Sequence, residues 1–162
     1  MTFSSADLVA RYHNGYRDQA RQYGYEAAAD QLGWACPIYV AQTDERACEE
    51  AGRAVETLFN DFLRQSFEML MPPGYTSIGS MKNFIRNRTA LGGGRLTAQA
   101  LIESGTALIG SPRTVLAGIE RMRERTGFGI LVALLQFGIL SDELTRRNMD
   151  FFAAEVMPHL RD

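Results

Sequence analysis

The sequence has few of the residues that build metal centres and disulfide scaffolds. It contains two cysteines and two histidines. Cys36 and Cys48 form no CxxC motif, so we expect two reduced, mostly buried thiols rather than a disulfide or a metal site. His13 and His159 lie on separate predicted helices, and neither has a second ligand at metal-binding spacing. The sequence therefore predicts no bound metal.

The sequence also lacks a strong charge of either sign and a long hydrophobic run. Its formal net charge is -2, which gives no positive field to draw it to nucleic acid or anionic membranes. The N-terminal stretch MTFSSADLVARYHNGY has neither the basic start nor the apolar core of a signal peptide. No segment approaches the roughly 18 apolar residues that cross a bilayer. We expect a cytoplasmic protein without nucleic-acid or membrane partners.

One long stretch contains no acidic residue. Residues 72–98 follow a helix-stopping Pro-Pro-Gly sequence and include a run of three glycines. The four basic residues of this stretch are Lys82, Arg86, Arg88 and Arg95. A basic insertion of this length is typical of a lid that closes over an anionic cofactor or substrate, or of a solvated disordered loop. Both interpretations are open at this point.

Apolar periodicity and helix start signals predict alternating helices and strands elsewhere. The predicted elements are a helix over 6–23, a strand over 35–41, a helix capped by Thr43 that ends near 69, an extended segment at 107–109, a helix capped by Ser111 and ended by Gly127, a strand over 129–136 and a last helix that Ser141 opens. Both strands are continuously apolar, as expected of strands buried on both faces. The pattern predicts an α/β fold with two or three parallel strands, too few to close a (β/α)8 barrel alone.

Five segments together resemble the C-terminal portion of the bacterial luciferase-like, flavin-dependent monooxygenases. They are YVAQTDERA at 39–47, GSPRTV at 110–115, RTG at 125–127, LLQFG at 134–138 and FFAAEVMPHL at 151–160. No single segment is diagnostic, but their joint order and spacing match that family. The resemblance implies a partial TIM (β/α)8 barrel with its last two strands at 35–41 and 129–136, flanking helices, and a lid insertion at 72–98.

The resemblance also implies a function. Members of the family oxidise a small organic substrate with O2 and reduced flavin mononucleotide (FMN), and a deazaflavin is the alternative cofactor. The first six barrel strands have no counterpart here, so we expect the chain to be incomplete for catalysis alone. It would need the missing N-terminal half or form a homo-oligomer. The alternative function is a non-catalytic half-barrel that self-associates or pairs with another chain.

Candidate site residues follow from the barrel architecture, because active sites of TIM barrels lie at the C-terminal ends of the strands. Catalytic residues are not identified. Gln42 and Thr43 follow one predicted strand. The candidate cofactor contacts are Gln136, Phe137 and Gly138 after the other strand, and Gly110 and Ser111 at a helix N-terminus suited to an anion. The simpler alternatives are a core role for Phe137 and capping by Ser111. The resemblance makes Lys82, Arg86 and Arg88 candidate substrate or lid contacts.

Overall fold

A computed structural model describes residues 2–63, 74, 76–82 and 94–160. The elements are α1 (Ala6–Gln22), β1 (Gly33–Val40), α2 (Asp44–Thr57), α3 (Ala98–Glu103), β2 (Leu108–Gly110), α4 (Pro112–Thr126), β3 (Ile130–Leu134) and α5 (Asp142–Phe151). A 3-10 turn, Ala29–Gln31, precedes β1. A π-helical turn, Leu58–Phe62, extends α2. The turns Phe152–Val156 and Met157–Leu160 extend α5.

The three strands form a parallel sheet in the order β2-β1-β3. Ile38 pairs with Leu108 on one side of β1, and Gly33 pairs with Ile130 on the other side. The predicted α/β fold with parallel strands is thereby confirmed. Since β1 and β3 are parallel neighbours, the loops that follow them lie at the same edge of the sheet.

One face of β1 is covered by helices. Trp34, Cys36 and Ile38 are at most 1% exposed. They belong to a hydrophobic core with residues of α1, α4 and α5, namely Val9, Val115, Ile119, Met122, Phe152 and Val156. The Trp34 ring lies 5.4 Å from the ring of Phe128, centroid to centroid. We call this the covered face.

The opposite face of the sheet is covered over only part of its length. At the C-terminal half of β1, Tyr39 packs with α2 and α3 in a second core. At the N-terminal half, Gly33 pairs with Ile130 and Ala35 pairs with Val132. Ile130 is 46% exposed and Val132 is 48% exposed. We call these four residues the open face.

The prediction that the strand at 129–136 is buried on both faces is wrong. Its apolar composition correctly indicates a strand, but β3 is the last strand of the described sheet. The described members of the second core include Tyr39 of β1 and Ala41 just after it but no residue of β3, so Ile130 and Val132 stay nearly half exposed. Composition therefore predicted the element and not its surroundings.

The predicted helix caps are confirmed. The side chain of Thr43 accepts a hydrogen bond from Arg46 N at 3.2 Å, and that of Ser141 accepts one from Leu144 N at 3.2 Å. Ser111 caps α4 in the same way. Gly127 ends α4 in the left-handed region, at φ +63°, which glycine adopts without steric cost.

The structure describes the end of the second predicted helix and the predicted insertion only in part. The helix predicted to end near 69 continues as far as Phe62, and residues 64–73 lie outside the described residues. Of the predicted insertion, the structure describes only residues 74, 76–82 and 94–98, and Arg86 and Arg88 are outside them.

The expectation of two mostly buried thiols is wrong for one of them. Cys36 is buried, but Cys48 is exposed, because it lies on the outward side of α2.

Candidate functional site

The loops after β1 and β3 meet at the C-terminal edge of the sheet. Gln42 and Thr43, which follow β1, are exposed, and so is Gln136 after β3. The N-termini of α2 and α4 lie at this edge, since each helix begins within four residues of a strand end, and α5 begins eight residues after β3. The edge therefore offers exposed amide groups and two helix N-termini.

The ends of β1 and β3 are joined by one buried side chain. Asn148 of α5 is 0% exposed. Its Oδ1 accepts from Val40 N at 2.8 Å, and its Nδ2 donates to Ile38 O at 2.8 Å and to Leu135 O at 2.9 Å. The β1–β3 pairing ends at Pro37 and Leu134, so Asn148 satisfies backbone groups that the strands no longer satisfy for each other.

Sequence reasoning missed Asn148, although a signal was present. It lies four residues after Leu144 and four residues before Phe152, on the buried stripe of the last helix. A polar side chain on such a stripe normally has hydrogen-bond partners, because burying an unpaired amide is costly. The partners themselves are remote in sequence and could not be named without the structure.

The N-terminus of α4 is bridged to α2 by a carboxylate. Asp44 Oδ1 accepts from Ser111 N at 2.6 Å, and Asp44 Oδ2 accepts from Thr114 Oγ1 at 2.9 Å. The hydrogen bond from the Ser111 backbone is the main reason that the pKa of Asp44 lies below its usual range. A Cβ at Gly110 would lie 2.8 Å from Asp44 Oδ1, so the approach of the two segments requires glycine there.

This bridge bears on the predicted anion site at Gly110 and Ser111. The N–H of Ser111 already donates to Asp44, whose negative charge favours the positive end of the α4 dipole. An anionic group of a cofactor would have to share this N–H with a carboxylate of the protein. The contact of Gly110 and Ser111 with a cofactor stays a prediction.

A second carboxylate joins β1, α2 and α5. Glu50 Oε2 accepts from the Tyr39 hydroxyl at 2.7 Å, and Glu50 Oε1 lies 2.7 Å from Arg46 Nε and 2.5 Å from an Arg147 guanidinium nitrogen. Burial alone would raise the pKa of Glu50, but the hydrogen bonds from Arg46, Tyr39 and Arg147 outweigh it, and the pKa is lowered. Burial also raises the pKa of Tyr39. The ionised carboxylate therefore holds three elements together beside the candidate site.

The three predicted cofactor contacts after β3 differ in their surroundings. Phe137 is buried in the core beneath α2, whereas Gln136 is exposed. Gly138 has φ +56°, and a Cβ there would lie 2.0 Å from Ala54 O. The loop therefore sits directly on the α2 backbone, and Gln136 is the residue of the three whose side chain is free to meet a ligand. The predicted lid contact Lys82 is also exposed.

Other chemistries find little support in the part of the chain that the structure describes. It holds no group of three or more His, Cys, Asp or Glu side chains that could bind a metal ion. No helix in that part is long and apolar enough to cross a membrane. Burial raises the pKa of the Cys36 thiol. Partial burial, with Asp44 and Glu45 nearby, raises that of Cys48. Neither thiol therefore has the lowered pKa of a reactive cysteine.

Two monooxygenases are among the solved structures that share the fold of this chain. Monooxygenase RslO1 from Streptomyces bottropensis is 19% identical, with a TM-score of 0.63 over 98% of this chain and 40% of its own. A type II Baeyer-Villiger monooxygenase was solved in complex with FMN. It is the oxygenating constituent of 3,6-diketocamphane monooxygenase from the CAM plasmid of Pseudomonas putida. It is 18% identical, with a TM-score of 0.66 over 96% of this chain and 40% of its own.

No protein-family profile matches the sequence, and no curated protein matches it. The structural similarity is low in sequence identity and covers nearly all of this chain. The chain therefore has the fold of part of the bacterial luciferase-like monooxygenases, and it spans about 40% of the length of the two matched enzymes.

Proposed function

We propose that this chain is the C-terminal part of a flavin-dependent monooxygenase that oxidises a small organic substrate with O2 and reduced FMN. The observation that carries the proposal is the match of nearly the whole chain to two monooxygenases, one of them in complex with FMN. In this interpretation β1 and β3 are the seventh and eighth strands of a (β/α)8 barrel. The strands are parallel, as barrel strands are. However, β2 lies between β1 and β3 in the chain and pairs with the other side of β1, so the order β2-β1-β3 differs from the chain-order arrangement of a closed barrel.

The residues at the C-terminal edge fit the ring of a flavin better than its phosphate. Gln42 and Gln136 are exposed there, and side-chain amides both donate and accept hydrogen bonds, as the polar edge of a flavin ring requires. The phosphate fits less well, since Asp44 already accepts from Ser111 N. The first turns of α2 and α5 also carry acidic pairs, Asp44 with Glu45 and Asp142 with Glu143. The described residues at this edge therefore offer fewer contacts to the phosphate than to the ring.

A bound flavin supplies the oxygen chemistry, and the protein orients it and excludes water. The described residues of this chain contribute by holding the loop at the candidate site in position. Asn148 fixes the ends of β1 and β3, and Glu50 fixes α2 against α5, so the loop carrying Gln136 has a defined place. Because the first six barrel strands have no counterpart in this chain, we expect the isolated chain to bind FMN weakly.

An NMR titration at millimolar FMN tests this proposal on the isolated chain. We expect shifts of the side-chain amides of Gln42 and Gln136 and of the backbone at 135–138. Riboflavin, which lacks the phosphate, should give the same shifts, and a deazaflavin tests the alternative cofactor. Gln136→Ala should remove most of the response, whereas Gln22→Ala, at the far end of α1, should not. Shifts centred elsewhere would contradict a flavin site at this edge.

The insertion at 72–98 is proposed as a lid, with Lys82, Arg86 and Arg88 as its contacts to an anionic ligand. Its run of basic residues without an acid supports this. Limited trypsin digestion should cut first within this stretch, and a saturating ligand should slow that cleavage. A first cut within α2 or α4 would argue against the lid.

A second function is favoured by exposed apolar surface. Ile130 and Val132 are exposed on the sheet, Tyr12 and Tyr16 are exposed on α1, and Tyr23 is exposed directly after it. Large exposed apolar patches mark interaction sites, so the chain could be a non-catalytic module that self-associates. Sedimentation equilibrium at micromolar concentration separates the two functions. A homo-oligomer that gives no flavin shifts would favour the module.

A further inference from the structure

The end of α2 contacts the segment that leads from the insertion into α3. Asn60 lies in the π-helical turn that extends α2, and it is only 9% exposed although it is polar. Its Nδ2 donates to Leu96 O at 2.8 Å, and its Oδ1 accepts from Leu96 N at 2.8 Å. One side-chain amide therefore satisfies both backbone groups of Leu96, which would otherwise need a neighbouring strand or water.

A second side chain of α2 holds the same segment. Glu56 Oε1 accepts from Ala98 N at 2.8 Å, and the Nδ2 of Asn60 also donates to Glu56 O at 2.8 Å. Thr97, between the two bonded residues, caps α3. The start of α3 is thus fixed to α2 by two side chains. We call the hydrogen bonds of Asn60 with Leu96 and of Glu56 with Ala98 the clasp.

The clasp joins two points that are remote in sequence and distant from the candidate site. Asn60 and Leu96 are 36 residues apart, and Asp61 pairs with Arg95 beside them at 3.5 Å. α2 begins at the C-terminal edge of the sheet, and Asn60 lies about 25 Å further along the helix at about 1.5 Å per residue. The chain between Asp61 and Arg95 therefore leaves and returns at the end of α2 opposite the loop that carries Gln136.

The clasp lies at the margin of the second core. Val55 of α2 and Leu101 of α3 are at most 3% exposed, and Phe59 and Leu96 pack against the same core. By contrast, the side chain of Arg95 is 71% exposed. Leu96 is therefore the residue at which the chain passes from solvent into the second core.

We propose that the clasp is a boundary to local unfolding. Opening or cleavage of the chain between Leu63 and Arg95 stops at Leu96 and does not reach α3 or the candidate site. Local opening spreads through groups whose contacts are lost together. Leu96 keeps its contacts with Asn60 when the preceding chain opens, because both partners lie at the margin of the core. The proposal depends neither on flavin binding nor on any activity.

Trypsin cleavage at Arg95 in the full chain measures the opening of the clasp. The Arg95–Leu96 bond fits the protease only when the segment leaves α2, so its cleavage rate reports the open population. We expect Asn60→Ala to raise this rate at least about tenfold. Asp61→Ala, the matched control in the same turn, removes only an exposed ion pair and should change it less than about twofold. Equal rates in the wild type and Asn60→Ala, or an equal rise in Asp61→Ala, would overturn the proposal.

The Glu56 contact gives a second measurement, which holds even where Asn60→Ala does not fold. Glu56→Gln keeps an oxygen that accepts from Ala98 N, whereas Glu56→Ala removes it. Hydrogen exchange at Ala98 should therefore speed up at least about tenfold in Glu56→Ala and stay near the wild-type rate in Glu56→Gln. Unchanged exchange in Glu56→Ala would show that packing alone protects Ala98 and would contradict the clasp.

A cut placed within the insertion tests the boundary itself. A recognition sequence for a specific protease is inserted between Gly92 and Gly93 of the full chain, and hydrogen exchange is measured before and after cleavage. In the otherwise unchanged chain, the amides of Leu96, Ala98 and the loop after β3 should keep their rates within about twofold. With Asn60→Ala added, cleavage should speed exchange at Leu96 and Ala98 further. Loss of their protection after the cut in the chain that keeps Asn60 would show that unfolding passes through the clasp, and the proposal would fail.

Discussion

The two faces of β1 differ in what covers them, although the sequence of β1 is apolar on both. Trp34, Cys36 and Ile38 point into a core built by three helices, and they are almost completely buried. Gly33 and Ala35 alternate with them and pair with residues of β3 that are nearly half exposed. The covered face stabilises the chain by itself, whereas the open face contributes only when another surface meets it. Matched substitutions on the two faces can measure this difference.

The largest effect should come from a direct comparison of the faces. Trp34→Ala removes a fully buried ring and should lower the free energy of unfolding by about 3–5 kcal/mol. Val132→Ala removes exposed atoms and should lower it by less than about 0.5 kcal/mol. Urea unfolding followed by circular dichroism measures both. Equal losses would mean that something already covers the open face in the isolated chain.

Asn148 sharpens the comparison, because it holds β1 against β3 where their ladder ends. Asn148→Ala leaves Val40 N, Ile38 O and Leu135 O without their partner. We expect a loss of about 2–4 kcal/mol in the same experiment, since unsatisfied buried groups cost about 1–3 kcal/mol each and some gain water. Asn14→Ala, at an exposed position of α1, is the control and should cost little. A small loss at position 148 would show that the strand ends are held by other contacts.

Glu50 tests the second core, where α2 packs against the C-terminal half of β1. Glu50→Gln should destabilise the chain at pH 7 by about 1–2 kcal/mol, because Arg147 and Arg46 lose an ionised partner. The pKa of Glu50 is lowered by folding from its ordinary 4.5. Its contribution is therefore complete above that value and is lost as the pH falls through the lower, folded pKa. The stabilities of the two proteins should converge below about pH 4.5. A constant difference across this range would assign the effect to packing.

His13 gives the smallest expected effect and probes the covered face. Burial lowers its pKa from the ordinary 6.5, outweighing the hydrogen bond to Thr126 O. The unfolded chain therefore binds a proton at a higher pH than the folded chain does. Stability should fall as the pH drops below about 6.5, by less than about 1 kcal/mol. His13→Gln should flatten this part of the pH profile. An unchanged slope in the variant would assign it to other groups.

Much of the fold could be predicted from the sequence, because local signals decide it. Thr43, Ser111 and Ser141 cap their helices through neighbours three residues away, and such contacts are written in the local sequence. The exposure of Val132 could not be predicted in this way. Its burial depends on which element covers that face of β3, and an apolar run is the same whether that element is present or absent.

The candidate site was predictable in position but not in its internal contacts. The end of a barrel strand predicts where Gln136 lies. It does not predict that Phe137 is buried under α2, nor that Asp44 reaches Ser111 from a segment 67 residues away in sequence. Such contacts follow from the packing of remote elements. Arg86 and Arg88 lie outside the described residues, so their predicted role is still a prediction.

The amide of Asn148 acts as a spacer of fixed length between two strand ends. Its oxygen and nitrogen contact β1 and the segment after β3 simultaneously, so the gap between those ends is set by the dimensions of one side chain. A longer or shorter polar residue there would widen or narrow the mouth of the sheet without touching any loop at the edge. The separation of these strand ends is thus set from a buried position on α5, independently of the exposed residues of the loops.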